Sequence, residues 1–421
     1  MQRPWHIPAP PPGGLDAVDG AAVLREDFRS LGLVLWDLAR DALRWLDTAP
    51  EDACSSPSHE RTRRTVANDR ADEPELASIL LLLTGMLADR RSGSRRAVAL
   101  HCAHVSAAAE REGAPATALL FAEVAGRLSP EDAELAYRVG RLARRNADYG
   151  RAQTWLRQAI LLGRHNGDVL SYGRAYSGLG NLAIQRGDYP RARRYHRKAL
   201  GIARRYELRE LEGQALHDLC GIAVEAGELD QAEWLARQAC VAYGHGHPRL
   251  PILAHDVAYA WMNAGYFRLA LRVFEATLLH YVSVEEQLDV LSDLCRAAAG
   301  AGDLPLYEQW WKKTWAAIAT TSVRDHVAQA LVELARASSS AGHWSRAETA
   351  ARMALGLAVE RHEARIRLTA EALLDSIRAD QTAAERLAIG RPAPIATPTA
   401  AERKLGDYLI SYLAGQPTAA V

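Results

Sequence analysis

Polar side chains that can recognise a peptide recur at the spacing i, i+3, i+7 and i+11 in the middle of this chain. In the clearest segment they are Arg174, Ser177, Asn181 and Gln185. This spacing keeps them on one face of a helix. An asparagine both donates and accepts hydrogen bonds, so Asn181 can pair with a peptide backbone, and an arginine can hold a carboxylate through two nitrogen atoms. The chemistry predicted by this pattern is binding.

The same face recurs in neighbouring segments, where it carries cationic, imidazole and aromatic side chains. Tyr259 offers a flat, amphipathic contact surface, and His217 and His255 precede the acidic residues Asp218 and Asp256, with which they could converge across adjacent helices. The predicted binding residues outside the first segment are Tyr137, Arg141, Arg145, Gln214, His217, His255 and Tyr259. Such residues would also be found on a face that is exposed to solvent and binds nothing. The sequence leaves open whether this face binds a ligand or is only solvated.

The elements that must position these residues are repeated helical pairs. In the segment 174–200 an amphipathic run precedes the turn Gly187-Asp188-Tyr189, and a second amphipathic run follows it. The turn residue recurs at intervals of 40, 40, 38, 37 and 40, with one upstream copy 34 residues earlier. The seven turn anchors are Gly113, Ala147, Gly187, Gly227, Gly265, Gly302 and Gly342.

Small residues keep register with these anchors in three columns. The position five after the anchor is Ala118, Ala152, Ala192, Ala232, Ala270, Tyr307 or Ala347. The position seven before it is Ser106, Gly140, Gly180, Cys220, Ala258, Cys295 or Ala335. The position twelve after it is Ala125, Ala159, Ala199, Ala239, Thr277, Thr314 or Ala354. Small side chains at such positions let two antiparallel helices approach closely, and each pair must then stack on its neighbours to bury its apolar stripe.

This pattern resembles the tetratricopeptide repeat (TPR) superfamily, on the residues Tyr176, Leu179, Gly180, Gly187, Asp188, Tyr189, Ala192 and Ala199. The resemblance covers roughly residues 97–358. It implies an all-α fold, a right-handed α-solenoid of about seven helical hairpins. It also implies that the first helix of each pair lines a concave groove, which would place the residues above in a groove for an acidic or C-terminal peptide.

The flanking sequence predicts caps and connections. We expect a disordered tail over 1–19, an N-terminal helical cap over 20–91 with a polar linker at 49–73, and a capping helix over 359–380. A linker over 381–399 precedes a short helix over 400–414. The N-terminal helices could instead form a separate module, and the last helix could dock on the repeats or bind elsewhere.

Other chemistry has weaker support. A basic run from Arg186 to Arg205 falls on a second helix and lacks stacking aromatics, because Tyr195 is better used in the core, so it is predicted to be a solvated face. His101/His104 and His245/His247 lack further ligands at zinc spacing, so no metal or other cofactor is predicted. Trp311 and Trp315 share a face that suits the core, whereas Trp310 is a candidate exposed anchor.

Composition restricts the class of partner. Acidic and basic residues balance at 51 each, which argues against nucleic acid and anionic membranes. The five cysteines are odd in number and show no metal-ligand or disulfide pattern, as is usual in a reducing cytoplasm. No signal peptide or membrane span is predicted. The expectation is therefore a cytoplasmic protein whose partner is a protein or peptide.

Two functions from different classes fit these observations. One is a bacterial scaffold or adaptor that presents the groove to a peptide or protein. The alternative is a peptide-sensing regulator that resembles the sensor part of bacterial quorum-peptide receptors and acts on a separate effector. No nucleophile, phosphate-binding or metalloenzyme motif is present, so we do not predict an enzyme.

Overall fold

A computed structural model describes residues 20–47, 57–70, 74–88, 95–281, 284–321, 326–360, 364–387 and 396–414. Twenty α-helices and one short 3-10 helix account for nearly all of these residues, and the described ranges contain no β-strand. The all-α prediction is confirmed. The tail predicted over 1–19 lies outside the described residues. Throughout the described ranges, no helix is both long and apolar enough to cross a bilayer.

The chain divides into two compact units, residues 1–215 and 216–421, each a stack of paired helices. The boundary falls within the stretch that was predicted as one solenoid, and inside helix α11 (Arg209–Glu225). The helices of the first unit that precede α11 are α1 Gly20–Glu26, a 3-10 turn Phe28–Ser30, α2 Gly32–Asp47, α3 Pro57–Asp69, α4 Pro74–Ala88, α5 Arg95–Arg111, α6 Pro115–Leu128, α7 Ala133–Arg145, α8 Tyr149–Asn166, α9 Val169–Gln185 and α10 Tyr189–Arg205.

The second unit continues the same arrangement of hairpins and ends with two further helices. Its helices after α11 are α12 Leu229–Tyr243, α13 Leu250–Asn263, α14 Phe267–Leu278, α15 Val284–Gly300, α16 Leu304–Thr320, α17 Val327–Ser340, α18 Trp344–Glu360, α19 Ala364–Leu387 and α20 Ala400–Leu413.

The predicted turn anchors all adopt the left-handed backbone conformation. Gly187 has φ of 74°, and the other anchor glycines lie between 71° and 87°. Ala147 takes the same conformation at φ of 59°, although a Cβ there costs roughly 1 kcal/mol. In three of the seven copies the residue after the anchor is an aspartate whose side chain caps the next helix, and these are Asp148, Asp188 and Asp303. Asp188, for example, accepts a hydrogen bond from the Arg191 backbone N–H at 3.0 Å.

The small-residue columns lie in the core, as predicted. Residues of all three columns are buried. The columns seven before and five after the anchor lie on the first and the second helix of a hairpin, and they face each other where the two helices meet. Where the first-helix residue carries a donor, it donates to the carbonyl oxygen twelve residues later: Ser106 Oγ to Ala118 at 2.7 Å and Cys220 Sγ to Ala232 at 3.2 Å. Tyr307, the large exception, is fully buried, with its hydroxyl 3.0 Å from Ser338 Oγ of the next hairpin.

The segment 20–47 of the predicted N-terminal helical cap is not one continuous helix. The chain breaks between α1 and α2, where Asp27, Arg29 and Ser30 all have positive φ, and Asp27 Oδ1 accepts a hydrogen bond from the Gly32 N–H at 3.0 Å. Apolar periodicity continues across this break, so the sequence pattern did not reveal it. The segment is bonded to the first hairpin: both carboxylate oxygens of Glu26 accept backbone N–H groups at the start of α6, from Ala116 at 2.6 Å and Thr117 at 2.8 Å.

The predicted polar linker at 49–73 contains helix α3, so its assignment as a linker was wrong over these residues. The cause is a buried ion pair that composition does not show. Arg63 is 2% exposed and donates to Asp41 Oδ2 of α2 at 2.6 Å. Ala67 is also buried one turn later, so a largely polar helix still packs on its neighbours.

Helix α19 extends into the predicted linker as far as Leu387, and α20 then packs back on the second unit. Gly406 of α20 faces Leu269 of α14 and Trp261 of α13. The Tyr412 ring stacks on His245, with ring centroids 4.1 Å apart. The sequence left open whether this helix docks on the repeats, and the structure shows that it does.

Candidate functional site

In the first unit, the predicted binding face is built from the first helices α5, α7 and α9. Arg141 donates to Glu110 Oε1 at 2.6 Å, and Arg145 pairs with the same carboxylate. Partial burial would raise the pKa of Glu110, but its bonds to Arg141 and the charges of both arginines lower it. Arg174 lies 3.8 Å from Glu134 of α7. The predicted cations therefore already hold carboxylates of neighbouring helices, and a ligand carboxylate must share them.

The uncharged residues of this face are differently placed. Ser177 is buried, and its hydroxyl has no hydrogen-bond partner among the described residues. Asn181 is half-buried and Gln185 is exposed, and neither side chain makes a hydrogen bond to another described residue. Tyr137 is half-buried against the core, and burial raises the pKa of its hydroxyl. Gln214 donates to Glu210 on its own helix at 3.0 Å.

The predicted site residues of the second unit, His217 and His255, join a chain of carboxylates and imidazoles. His217 Nε2 lies 2.9 Å from Asp256 Oδ2, and His255 Nε2 lies 2.9 Å from Asp293 Oδ2. His255 Nδ1 is also 3.7 Å from Asp256 Oδ1, which closes the chain across α11, α13 and α15. Burial alone would lower the pKa of His255, but bonds to the two carboxylates outweigh it and raise the pKa from 6.5 to about 10. His255 is therefore a cation at neutral pH.

A second polar network joins α13, α15 and α17 around Glu333, whose side chain is 2% exposed. Arg296 Nη1 and Arg336 Nη1 each donate to this carboxylate at 2.9 Å, and the Tyr259 hydroxyl donates to it at 3.3 Å. Arg296 also lies over the Tyr259 ring, 5.9 Å from its centroid. Tyr259 is consequently held in a charged network and is not a free contact surface.

Comparison with known proteins bears on the fold. No protein-family profile matches the sequence, and no curated protein does. Among solved structures, the apo form of RapI is similar with a TM-score of 0.50 at 13% identity, over 63% of this chain and 99% of RapI. This chain has a TPR-type repeat fold. The deciding observation is this match, together with the left-handed turn anchors and the buried columns described above.

Two further structures are similar at lower scores. A putative kinesin light chain of Podosopora anserina with nearly identical TPR-like repeats has a TM-score of 0.38 at 17% identity, over 46% of this chain and 98% of its own. The Rap conjugation gene regulator of the plasmid pLS20, solved in complex with the Phr* peptide, has a TM-score of 0.43 at 14% identity, over 87% of this chain and 88% of its own.

Sequence reasoning missed the carboxylates that complete both networks. Glu110 and Glu333 are absent from the predicted site, yet each holds two arginines. A signal for them was available, because the lateral contacts join residues one repeat apart: Ser171 to Glu134 at a separation of 37, and His217 to Asp256 at 39. Opposite charges or donor–acceptor pairs at the repeat spacing would therefore have indicated which residues meet between hairpins.

The tryptophan cluster is arranged differently from the prediction. Trp310 is 6% exposed, so its proposed role as an exposed anchor is wrong. It lies one turn before Thr314, which is buried in the third small-residue column. Trp311 and Trp315 are half-buried and pack edge to face, with ring centroids 5.7 Å apart. In this TPR-type hairpin only Tyr307 replaces a small column residue, and Cys295 and Thr314 keep the other two columns small.

Proposed function

We propose that this TPR-type chain is a peptide- or protein-binding scaffold whose first unit receives an extended segment on the face formed by α5, α7 and α9. The observation that carries the proposal is the pair of amides on α9. Asn181 and Gln185 lie one helical turn apart and are not bonded to any described side chain. Amides at such a spacing can pair with successive backbone groups of an extended ligand, because each amide both donates and accepts.

Charge on the same face supports an acidic segment or a free C-terminus as the ligand. Arginines 138, 141, 145 and 174 surround glutamates 110 and 134. Four cations against two carboxylates leave two excess positive charges, and these arginines remain partly exposed. A carboxylate of the ligand can therefore bind an arginine that also holds a glutamate of this chain, so it is paired with a cation when it loses its water.

A direct test uses a phage-displayed library of random peptides, followed by fluorescence anisotropy with the enriched peptides. A double Asn181→Ala, Gln185→Ala variant removes two uncharged hydrogen-bonding groups worth about 1 kcal/mol each, so affinity falls roughly tenfold or more. Gln231→Ala is the matched control, because Gln231 is an exposed amide of the second helix α12. Equal affinity of the folded double variant and the wild type would exclude this face, and amidation of the peptide C-terminus tests the carboxylate.

The sensor remains the second candidate, and the docking of α20 favours it. The Arg272–Asp407 ion pair that helps to hold α20 has side chains 56% and 62% exposed, and such pairs contribute at most about 1 kcal/mol. Leu405 and Leu409 of α20 are buried, so a peptide that releases this helix must bind the released state more tightly than the docked state by enough to offset that burial. Small-angle scattering with and without an enriched peptide separates the candidates: a changed profile supports the sensor, and an unchanged one the scaffold.

A further inference from the structure

A cavity of about 590 Å³ opens in the first unit where the ends of α8 and α10 meet the start of α9. Its volume lies within the range of about 300–1,000 Å³ that is usual for small-molecule sites. Tyr172 and Tyr176 line it from the side of α9 opposite Arg174, so it is separate from the proposed peptide-binding face. The lining residues are Gly163, Arg164, Gly167, Val169, Tyr172, Tyr176, Lys198, Gly201, Ile202, Arg205 and Tyr206.

The charge of this cavity is of one sign. Its lining includes Arg164, Lys198 and Arg205 but no aspartate or glutamate. None of these three cations forms a salt bridge with any described residue. The arginines on the opposite face of the unit, such as Arg141, do hold carboxylates. The three cations are exposed to solvent, and together they give the cavity a positive potential that favours an anion.

Each of the three cations is placed over a tyrosine ring. The distances to the ring centroids are 6.0 Å from Arg164 to Tyr172, 5.3 Å from Lys198 to Tyr176 and 5.5 Å from Arg205 to Tyr206. The Tyr172 and Tyr176 rings also pack edge to face, 5.3 Å apart. Tyr206 is 48% exposed and leaves part of its ring available for a planar ligand. Aromatic faces beside cations are the combination that binds a base and its phosphates together.

Space for a ligand is preserved at Gly201 on α10. A Cβ built at this glycine meets no atom within 4 Å, whereas one at Gly163, on the other wall, would lie 2.8 Å from the Asp168 carbonyl oxygen. Gly163 is therefore required by packing. Gly201 is not required by packing, and a glycine inside a helix lowers its stability by about 0.5–1 kcal/mol relative to alanine. An open glycine in the wall of a cationic, aromatic cavity leaves room for a flat group.

We propose that this cavity binds a nucleotide, with the base against the tyrosine rings and the phosphates held by Lys198, Arg164 and Arg205. A phosphate alone would leave the tyrosine rings without a contact, and a neutral nucleoside alone would leave the three cations without an anionic partner. The nucleotide unit could come from a free mononucleotide or from a single strand of nucleic acid. The cavity has the volume of one unit, and we assign it to the free mononucleotide.

Isothermal titration calorimetry on the full chain tests this assignment. The ligands are adenosine and cytidine triphosphates, the two nucleosides, inorganic tripolyphosphate and a short single-stranded oligonucleotide. We expect at least one triphosphate to bind saturably and at least tenfold more tightly than its nucleoside or tripolyphosphate. Lys198→Ala should weaken this binding about tenfold, the loss typical of one hydrogen bond to a charged group. Gly201→Trp should abolish it by filling the cavity.

Arg194→Ala is the matched control, since Arg194 is an exposed cation of the same helix and does not line the cavity. Its affinity should stay within twofold of the wild type, and circular dichroism confirms that each variant is folded. The assignment is overturned if no triphosphate binds up to millimolar concentration, or if tripolyphosphate binds as tightly as the nucleotides. It is also overturned if Arg194→Ala weakens binding as much as Lys198→Ala. If the oligonucleotide binds far more tightly than either triphosphate, the assignment to a free mononucleotide is wrong and the cavity binds single-stranded nucleic acid.

Discussion

A very close approach between two helices gives the sharpest prediction, and it concerns Gly180 of α9. A Cβ built at this glycine would lie 2.3 Å from Nε2 and 2.6 Å from Cδ2 of the His196 ring on α10. Such separations are far inside van der Waals contact, which for carbon atoms is about 3.5–4.0 Å. His196 is fully buried, so its ring cannot swing into solvent to make room. The substitution Gly180→Ala must therefore push the two helices of the hairpin apart.

The magnitude follows from two opposed effects. Alanine is favoured over glycine in a helix interior by about 0.5–1 kcal/mol. Forcing an extra methyl group into a packed core costs about 1–3 kcal/mol. The difference between the two effects is a destabilisation of the hairpin by about 0–2.5 kcal/mol, with a central value of about 1 kcal/mol for Gly180→Ala. Gly221→Ala on α11 is the matched control, because a Cβ there meets nothing within 4 Å. It should stabilise its helix by about 0.5–1 kcal/mol.

Hydrogen exchange measured by mass spectrometry on the full chain is the appropriate assay, because it reports the opening of α9 and α10 separately from the second unit. The urea midpoint of the whole chain is a weaker measure, since two units need not unfold together. Opposite signs for the two glycine variants support the packing described here. If Gly180→Ala protects α9 as well as Gly221→Ala protects α11, the helices do not meet at this position and the reasoning fails.

Two further predictions concern the second unit. Since the folded pKa of His255, about 10, lies above its ordinary value of 6.5, the charged ring contributes its full stabilisation below pH 6.5 and loses it as pH rises toward 10. Between pH 7 and 9, the free energy of opening of α13 and α15 should fall by roughly 1 kcal/mol per pH unit more in the wild type than in His255→Gln. If the two proteins lose protection in parallel, His255 is not paired as described. Gly406→Leu would place its side chain against Leu269, because a Cβ at this glycine would lie 2.7 Å from Leu269 Cδ1, and would so displace α20. Protection should then drop in α14 and not in α17, and an unchanged α14 would contradict the docking.

The repeat fold was predictable because it depends on local rules. The segment 174–200 contains an anchor with positive φ, an aspartate cap and small residues twelve positions apart. All the residues that determine this hairpin are therefore close together in the sequence. The break after α1 was not predictable, since Asp27 interrupts the helix through its backbone conformation while the apolar spacing continues. Helix α3 was missed because its packing depends on Arg63, whose partner Asp41 lies 22 residues earlier.

The candidate site was only half predictable, for a geometric reason. The helical spacing placed the predicted residues on one face of α7 and α9, but it could not predict which residues of adjacent hairpins contact each other. That depends on the rotation of each helix about its own axis, and a change of one residue moves a side chain by about a quarter of a turn. Glu110 and Glu333 contact the predicted residues from outside the predicted stripe. The residues chosen as free ligands, above all Arg141, were therefore found already bonded.

The position of α20 has a consequence for the order in which the molecule is made. Arg237 of α12 donates to the Ala401 carbonyl oxygen, 164 residues further along the chain, and Arg272 pairs with Asp407 across 135 residues. Chains emerge from the ribosome at about 5–20 residues per second. The surface that receives α20 on α12 to α14 is therefore uncovered for several seconds during synthesis. An apolar surface around Trp261 and Leu269 is open to a chaperone, or to a neighbouring nascent chain, for that interval.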